Sequence, residues 1–223
     1  MSKFWQKSGG GSLALLLSLS LGQQASAVTL VENLSQSNSF FETVSFFQWT
    51  GKSFTTGSGS YNLNSATLLF QQISSASPNL FLRLYSDNSG QPGTVITNFT
   101  NPASITTTLA NNTFTLTTPQ ALAANTTYWL VSGISSLTGL GYLWGVANSN
   151  NQTGLPGWTI DDGFVASSDQ SASWIILPTG GPLQFSLEGT ENAPPTSVPE
   201  PGSVVALLGL GGLGLASSLK KRK

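Results

Sequence analysis

The heptapeptide LFLRLYS at residues 80–86 alternates two kinds of side chain along an extended backbone. Its three leucines fall on one face of the chain, whereas Phe81, Arg83 and Tyr85 fall on the other. A period of two predicts a β-strand, and this distribution favours a sheet that is covered on one side.

Similar short runs of β-branched and aromatic residues continue on both sides of this stretch, separated by clusters of Gly, Pro, Asn and Ser. No segment between residues 28 and 190 has the period of a helix. The predicted strands lie at 43–49, 53–56, 61–71, 80–86, 94–99, 113–117, 127–132, 142–147, 157–161, 173–177 and 183–188. Many short strands at a spacing of roughly 8–12 residues predict an all-β fold, with a single β-sandwich or jelly-roll-like domain over residues 28–190.

Residues 1–27 have the three parts of a signal peptide. Two lysines precede an apolar run at 13–21, and Ala25 and Ala27 form a small-residue cleavage site. The apolar run is too short to span a membrane, which disfavours the alternative of an uncleaved anchor. We therefore expect export through the Sec machinery and cleavage by signal peptidase, with Val28 as the first mature residue.

Three physically different pieces follow one another at the C-terminus. Pro199, Glu200 and Pro201 form a stiff, exposed segment. Proline lacks an N–H and restricts the residue before it, so this segment cannot continue a helix or a central strand. The uncharged stretch 203–219 is just long enough for a transmembrane helix, which needs roughly 17–25 apolar residues. The basic residues 220–223 cross an apolar membrane core only at high cost, so they hold the C-terminus in the cytoplasm.

Taken together, residues 198–223 resemble the PEP-CTERM sorting signal, the substrate of exosortase in Gram-negative bacteria that make exopolysaccharide. The resemblance implies an exosortase-like membrane enzyme as a partner and a transient anchor in the inner membrane. It also implies a final location at the cell surface or outside the cell. An ordinary C-terminal membrane anchor is the alternative. A short proline-containing linker at 191–197 joins this tail to the domain.

A second resemblance covers about residues 45–190. It rests on four blocks of sequence, KSFTTG at 52–57, YNLNSATL at 61–68, LYSDNSGQPG at 84–93 and LAANTTYWLV at 122–131. These blocks resemble the choice-of-anchor R domain, a family whose members carry one or another C-terminal anchoring signal. The resemblance implies an exported surface β-domain and no particular activity.

Composition excludes several kinds of chemistry. The chain has no cysteine and no histidine, so disulfides, thiolate and zinc sites and histidine-based catalysis are ruled out. Between residues 28 and 201 two basic residues stand against nine acidic ones, a net charge of −7. We expect no cofactor, no metal site and no binding to nucleic acid, which requires clustered Lys and Arg.

Two acidic motifs admit both a functional and a structural interpretation. The DNSG motif at 87–90 offers oxygen ligands for half of a calcium loop, but the same residues are typical of a turn between strands, and we predict the turn. Asp161 and Asp162 would suit a glycosidase if both faced one cleft. Neighbouring residues of a strand point to opposite faces, and Asp-Gly is a common hairpin turn, so we predict a turn here as well.

Tryptophan is unusually frequent in the domain, and an exposed indole ring can bind a sugar whereas a buried one fills a core. Trp129 lies in a strongly apolar run, which predicts a core position. Trp158 lies between Leu-Pro-Gly and the acidic pair, in a loop-rich neighbourhood. It is therefore the predicted exposed ring and the candidate ligand-binding residue.

We expect no catalytic residues. The leading interpretation is a non-catalytic component of the cell surface or of an exopolysaccharide matrix, as in a biofilm, sorted and processed by an exosortase. Exopolysaccharide is then a further expected partner. The alternative is an extracellular carbohydrate-binding module, and the third interpretation is a glycoside hydrolase that uses carboxylates alone.

Overall fold

The computed structural model describes residues 26–73, 79–136 and 141–192, and no part of these ranges is helical. The predicted signal peptide up to residue 25 and the predicted sorting tail lie outside the described residues. Among the described residues, no helix is both long and apolar enough to cross a membrane.

This part of the chain forms fourteen strands, and every pairing between them is antiparallel. In chain order the strands are β1 (Val28–Glu32), β2 (Asn38–Val44), β3 (Trp49–Thr55), β4 (Tyr61–Gln72), β5 (Leu80–Asp87), β6 (Pro92–Asn98), β7 (Ala110–Leu122), β8 (Thr127–Ile134), β9 (Tyr142–Ala147), β10 (Thr153–Gly154), β11 (Thr159–Ile160), β12 (Phe164–Ser167), β13 (Ile175–Leu177) and β14 (Phe185–Glu191).

The strands belong to two sheets of seven. Sheet I has the order β10-β1-β14-β4-β9-β2, and β7 also pairs with β4. Sheet II has the order β13-β12-β3-β8-β5-β6, and β11 also pairs with β3. The first and last strands are neighbours in sheet I, where Val28 lies opposite Gly189.

The two sheets pack face to face around one main core. The three leucines of β5 point into it and are buried, as the alternation in the sequence predicts. Contact between the sheets is direct, because the rings of Phe54 on β3 and Phe185 on β14 lie 6.3 Å apart between centroids. The prediction of an all-β fold with two antiparallel sheets is confirmed.

Sheet I covers one face of β5, as expected, and the opposite face also carries buried side chains, which come from sheet II itself. Phe81 and Tyr85 are buried there in a second apolar group. We call this group the outer cluster; it consists of Trp49, Phe81, Tyr85, Trp129, Val131 and Val165. Gly133 leaves room for it, since a Cβ at that position would lie within 2.4 Å of the Trp49 ring. The Arg83 guanidinium covers the Phe81 ring at 3.9 Å from its centroid.

The predicted strands at 61–71, 80–86 and 142–147 agree closely with β4, β5 and β9. The predicted strand at 43–49 is wrong, because the chain turns there between β2 and β3. In that turn the Ser45 N–H donates to the Gln48 carbonyl at 2.9 Å.

Candidate functional site

The acidic pair lies in a bend that interrupts the pairing beside β3. Both β11 and β12 run antiparallel to β3, with Ile160 opposite Phe54 and Val165 opposite Gly51. Between these two pairs β3 has only Lys52 and Ser53, whereas the facing segment has the four residues 161–164. The four residues therefore form a bulge. The predicted Asp-Gly hairpin turn is wrong, since β11 and β12 pair with β3 and not with each other.

Lys52 of β3 fills the space beneath this bend. Its ammonium group donates to the carbonyl oxygens of Asp161 and Gly163, the latter at 2.6 Å. Next to it, the Ser53 hydroxyl donates to Asp161 Oδ2 at 2.7 Å. Lys52 is fully buried, and desolvation lowers its pKa to about 7 against the opposing attraction of Asp161 and Asp162.

A cleft of about 270 Å³ opens above the bend on the outer face of sheet II. Both carboxylates of the pair line it, and Asp87 at the end of β5 supplies a third. The Trp129 indole N–H donates to Asp87 Oδ1 at 2.8 Å, which fixes this carboxylate beside the outer cluster. Trp129 is buried as predicted, although in the outer cluster and not in the main core.

The motif at 87–90 forms the turn between β5 and β6, as predicted. Ser89 and Gly90 both have positive φ, at 55° and 81°, which a type I′ hairpin turn requires. The Gly90 N–H donates to Asp87 Oδ2 at 3.2 Å and closes the turn. Within the described ranges, no three acidic side chains are placed so that they could hold a metal ion.

A second depression, of about 500 Å³, lies between this turn and the segment 171–174. Asp87 lines it as well, so the two depressions share one wall. We call them together the outer groove. Trp174 lines the larger depression and is half-buried against the outer cluster.

Asp169 holds the segment that carries Trp174. Its carboxylate accepts the Ser173 hydroxyl at 2.6 Å, the Ser173 N–H at 2.9 Å and the Ser167 hydroxyl at 2.8 Å. These three donors, first of all those of Ser173, lower the pKa of Asp169 to about 2. The carboxylate is therefore ionised near neutral pH, where it can accept all three of these hydrogen bonds.

Trp158 does not lie in the groove, and the prediction of an exposed ring is wrong. Its side chain is 5% exposed and belongs to the main core. The ring stacks on Phe54, with centroids 6.2 Å apart and planes 5° from parallel, and its edge contacts Tyr61. Trp174 is the half-exposed ring that sequence reasoning missed. The polar residues before Trp174 indicated a loop, but they did not indicate which surface of the domain this loop packs against.

The structure leaves the predicted processing sites untested. Ala27 is exposed and directly precedes β1, whereas Ala25 lies outside the described residues. Pro199, Glu200 and Pro201 also lie outside them. The predicted resemblance to a choice-of-anchor R domain likewise stays a prediction.

Comparison with known proteins bears on the C-terminal tail. No curated protein matches the chain. The family model of the PEP-CTERM protein-sorting motif matches residues 197–223, which include the Pro-Glu-Pro tripeptide, the apolar stretch and the basic end. The chain therefore ends in a PEP-CTERM sorting motif, a C-terminal signal for export and membrane passage that implies an exosortase as the processing partner.

Proposed function

We propose that the chain is an exported, non-catalytic component of the cell surface or of an exopolysaccharide matrix. The observation that carries this proposal is the sorting motif at residues 197–223, attached to a helix-free body of two sheets. In this proposal a signal peptide at 1–27 directs export and is removed. The stretch 203–219 then anchors the chain in the inner membrane until an exosortase releases it to the surface.

The carboxylates of the outer groove support a non-catalytic role. A glycosidase needs two carboxyl groups roughly 5–9.5 Å apart, one of them kept protonated by its surroundings. In the groove, Asp161 and Asp162 are exposed to water, and Asp87 and Asp161 accept hydrogen bonds from Trp129 and Ser53. Asp87 and Asp161 are therefore already engaged as hydrogen-bond acceptors within the protein, which fits a structural role.

The position of Glu42 in sheet I also supports a non-catalytic role. Partial burial raises its pKa, although a hydrogen bond from Gln48 at 3.1 Å works against the rise. The pKa of this carboxyl group is therefore shifted upward, which is the direction expected for a general acid. However, Glu42 lies on β2 in sheet I and lines neither depression of the groove.

Replacement of Pro199, Glu200 and Pro201 by alanine tests the proposal in cells that express an exosortase. We expect the variant to stay full-length in the membrane fraction, whereas the unchanged chain is shortened at its C-terminus. Mass spectrometry of both products measures the processing, and it also shows whether the N-terminus begins at Val28.

A matched control replaces Pro194 and Pro195 in the linker by alanine, which also removes two prolines close to the apolar stretch. We expect this control to be processed like the unchanged chain. Equal processing of all three chains would show that the tail is an ordinary anchor and would overturn the proposal.

A further inference from the structure

We propose that the outer groove of sheet II binds a neutral polysaccharide, with Trp174 as its aromatic contact. This inference rests on the proposed surface function, because it names what a surface protein of this kind holds. The binding ring is therefore not Trp158, which is buried in the main core.

The shape of the groove fits an extended ligand. Its larger depression, at about 500 Å³, lies within the range of roughly 300–1,000 Å³ that is usual for ligand sites. The smaller one, at about 270 Å³, adjoins it at Asp87. Two adjoining depressions with one shared wall suit consecutive units of a chain better than a single compact molecule.

The side chains of the larger depression suit hydroxyl groups. Most of the side chains that line it carry a hydroxyl or an amide group, and the lining also includes one carboxylate and one indole ring. The side-chain amides of Asn88 and Gln91 make no hydrogen bond to any described residue, so each offers a donor and an acceptor to a ligand. Asp87 already accepts bonds from Trp129 and Gly90, but a carboxylate has about four acceptor positions and can take more.

Trp174 supplies an apolar surface of fixed orientation. Its side chain packs against the outer cluster and stays partly exposed, and Trp174 lines the larger depression. Asp169 fixes Ser173, the residue directly before it, through two hydrogen bonds. A contact that is already ordered loses little conformational entropy when a ligand binds, which favours affinity.

The charge of the groove argues against an anionic polysaccharide. No basic residue lines either depression, whereas three aspartates line the smaller one. The two basic residues of the described ranges are engaged elsewhere, since Lys52 is buried and Arg83 covers Phe81. An anionic polysaccharide would be repelled, and most of the polar side chains of the larger depression are uncharged. A neutral polysaccharide fits both depressions.

The full chain, purified in detergent, can be tested by affinity electrophoresis. The neutral probes are dextran, mannan and galactan, and the charged probes are anionic alginate and cationic chitosan. We expect retardation by at least one neutral probe and none by alginate. Binding to no neutral probe, or tighter binding to alginate or chitosan than to every neutral probe, would overturn the inference.

Three variants locate the site. Trp174→Ala is expected to weaken binding about tenfold, through loss of the aromatic contact. Asn88→Ala is expected to weaken it about threefold through loss of one hydrogen bond, and because Asn88 is exposed this variant keeps the test valid if Trp174→Ala is misfolded. Phe47→Ala removes an exposed ring outside the groove and should leave binding unchanged.

Unchanged binding in both Trp174→Ala and Asn88→Ala would show that the polysaccharide binds outside the outer groove and would overturn the proposed site. Exosortase-dependent processing, measured separately, distinguishes this failure from failure of the proposed function. A chain that is processed but binds no neutral probe contradicts the inference alone. A chain that binds but is not processed contradicts the proposed function.

Discussion

Lys52 is the residue whose surroundings differ most from those it would have in water. Its pKa is about 7 in the folded chain against 10.5 for an unburied lysine. Below pH 7 both the folded and the unfolded states hold the proton, so this residue adds no pH dependence there. Between pH 7 and 10.5 the unfolded state binds more protons, and the free energy of unfolding therefore rises with pH.

We expect that rise to disappear in Lys52→Met. For the unchanged chain, urea denaturation at pH 7, 8 and 9 should show an increase of about 1–2 kcal/mol, below the ceiling of roughly 1.4 kcal/mol per pH unit. At pH 9 the variant should be less stable by about 1–3 kcal/mol, because the carbonyls of Asp161 and Gly163 lose their donor. An equal rise in both chains would assign the pH dependence to other groups.

Trp158 gives a second test at the scale of one residue. Because its ring is stacked in the main core, Trp158→Ala should lower the free energy of unfolding by about 3–5 kcal/mol. Phe47 is 64% exposed, so Phe47→Ala should change it by less than about 0.5 kcal/mol. Chemical denaturation of the two variants measures the contrast. Similar stabilities would place the Trp158 ring at the surface after all.

The positions of the tryptophans were only partly predictable. The apolar neighbours of Trp129 correctly indicated burial. The environment of Trp158 depends on Phe54 and Tyr61, which lie about a hundred residues earlier in the chain, whereas its loop-rich sequence neighbourhood indicated an exposed ring. Burial set by such distant contacts leaves no local pattern that a sequence could reveal.

At the scale of the element, β13 is an exposed apolar edge strand. β13 lies at one edge of sheet II. Its three residues are all apolar and exposed, and Ile175 is 61% exposed. An apolar edge strand offers unpaired backbone groups to another chain and is therefore a site of aggregation.

Ile175→Lys should reduce aggregation, because a lysine on an edge strand opposes pairing with a second copy. Static light scattering over a concentration series measures the effect. Val95→Lys on β6, the opposite edge of sheet II, is the matched control. The register of β6 shifts twice beside β5, which already disturbs that edge, so we expect a smaller effect there. A larger effect from Val95→Lys would contradict the assignment of aggregation to β13.

Among the elements, several continuous strands were predictable, and the interrupted pairing of β11 and β12 with β3 was not. β4, β5 and β9 follow from period and composition alone. β11 and β12 run along the same neighbour with a bend between them, and a four-residue bulge of this kind has the same Asp-Gly sequence as a hairpin. The acidic pair was found in the sequence, but its cleft exists only because this bend brings it near Asp87.

At the scale of the whole molecule, the two-sheet arrangement was predictable from the number and spacing of the strands. The strand order was not, because each sheet joins strands that are far apart in the chain. The outer cluster shows the same limit. Its residues come from four strands, and only the assembled sheet II places them over Gly133.

The pairing of β1 with β14 determines when the body can finish folding. A chain that crosses a membrane N-terminus first delivers β1 at the beginning of its passage and β14 at the end. Since β14 lies between β1 and β4, sheet I stays open until about residue 191 has emerged. On the far side of the membrane, β1 therefore has no neighbour to pair with in sheet I until almost the whole body has emerged. The strand that closes the sheet is also the one that the sorting motif follows in the chain, so in the proposed export the body completes sheet I just as the anchoring stretch reaches the membrane.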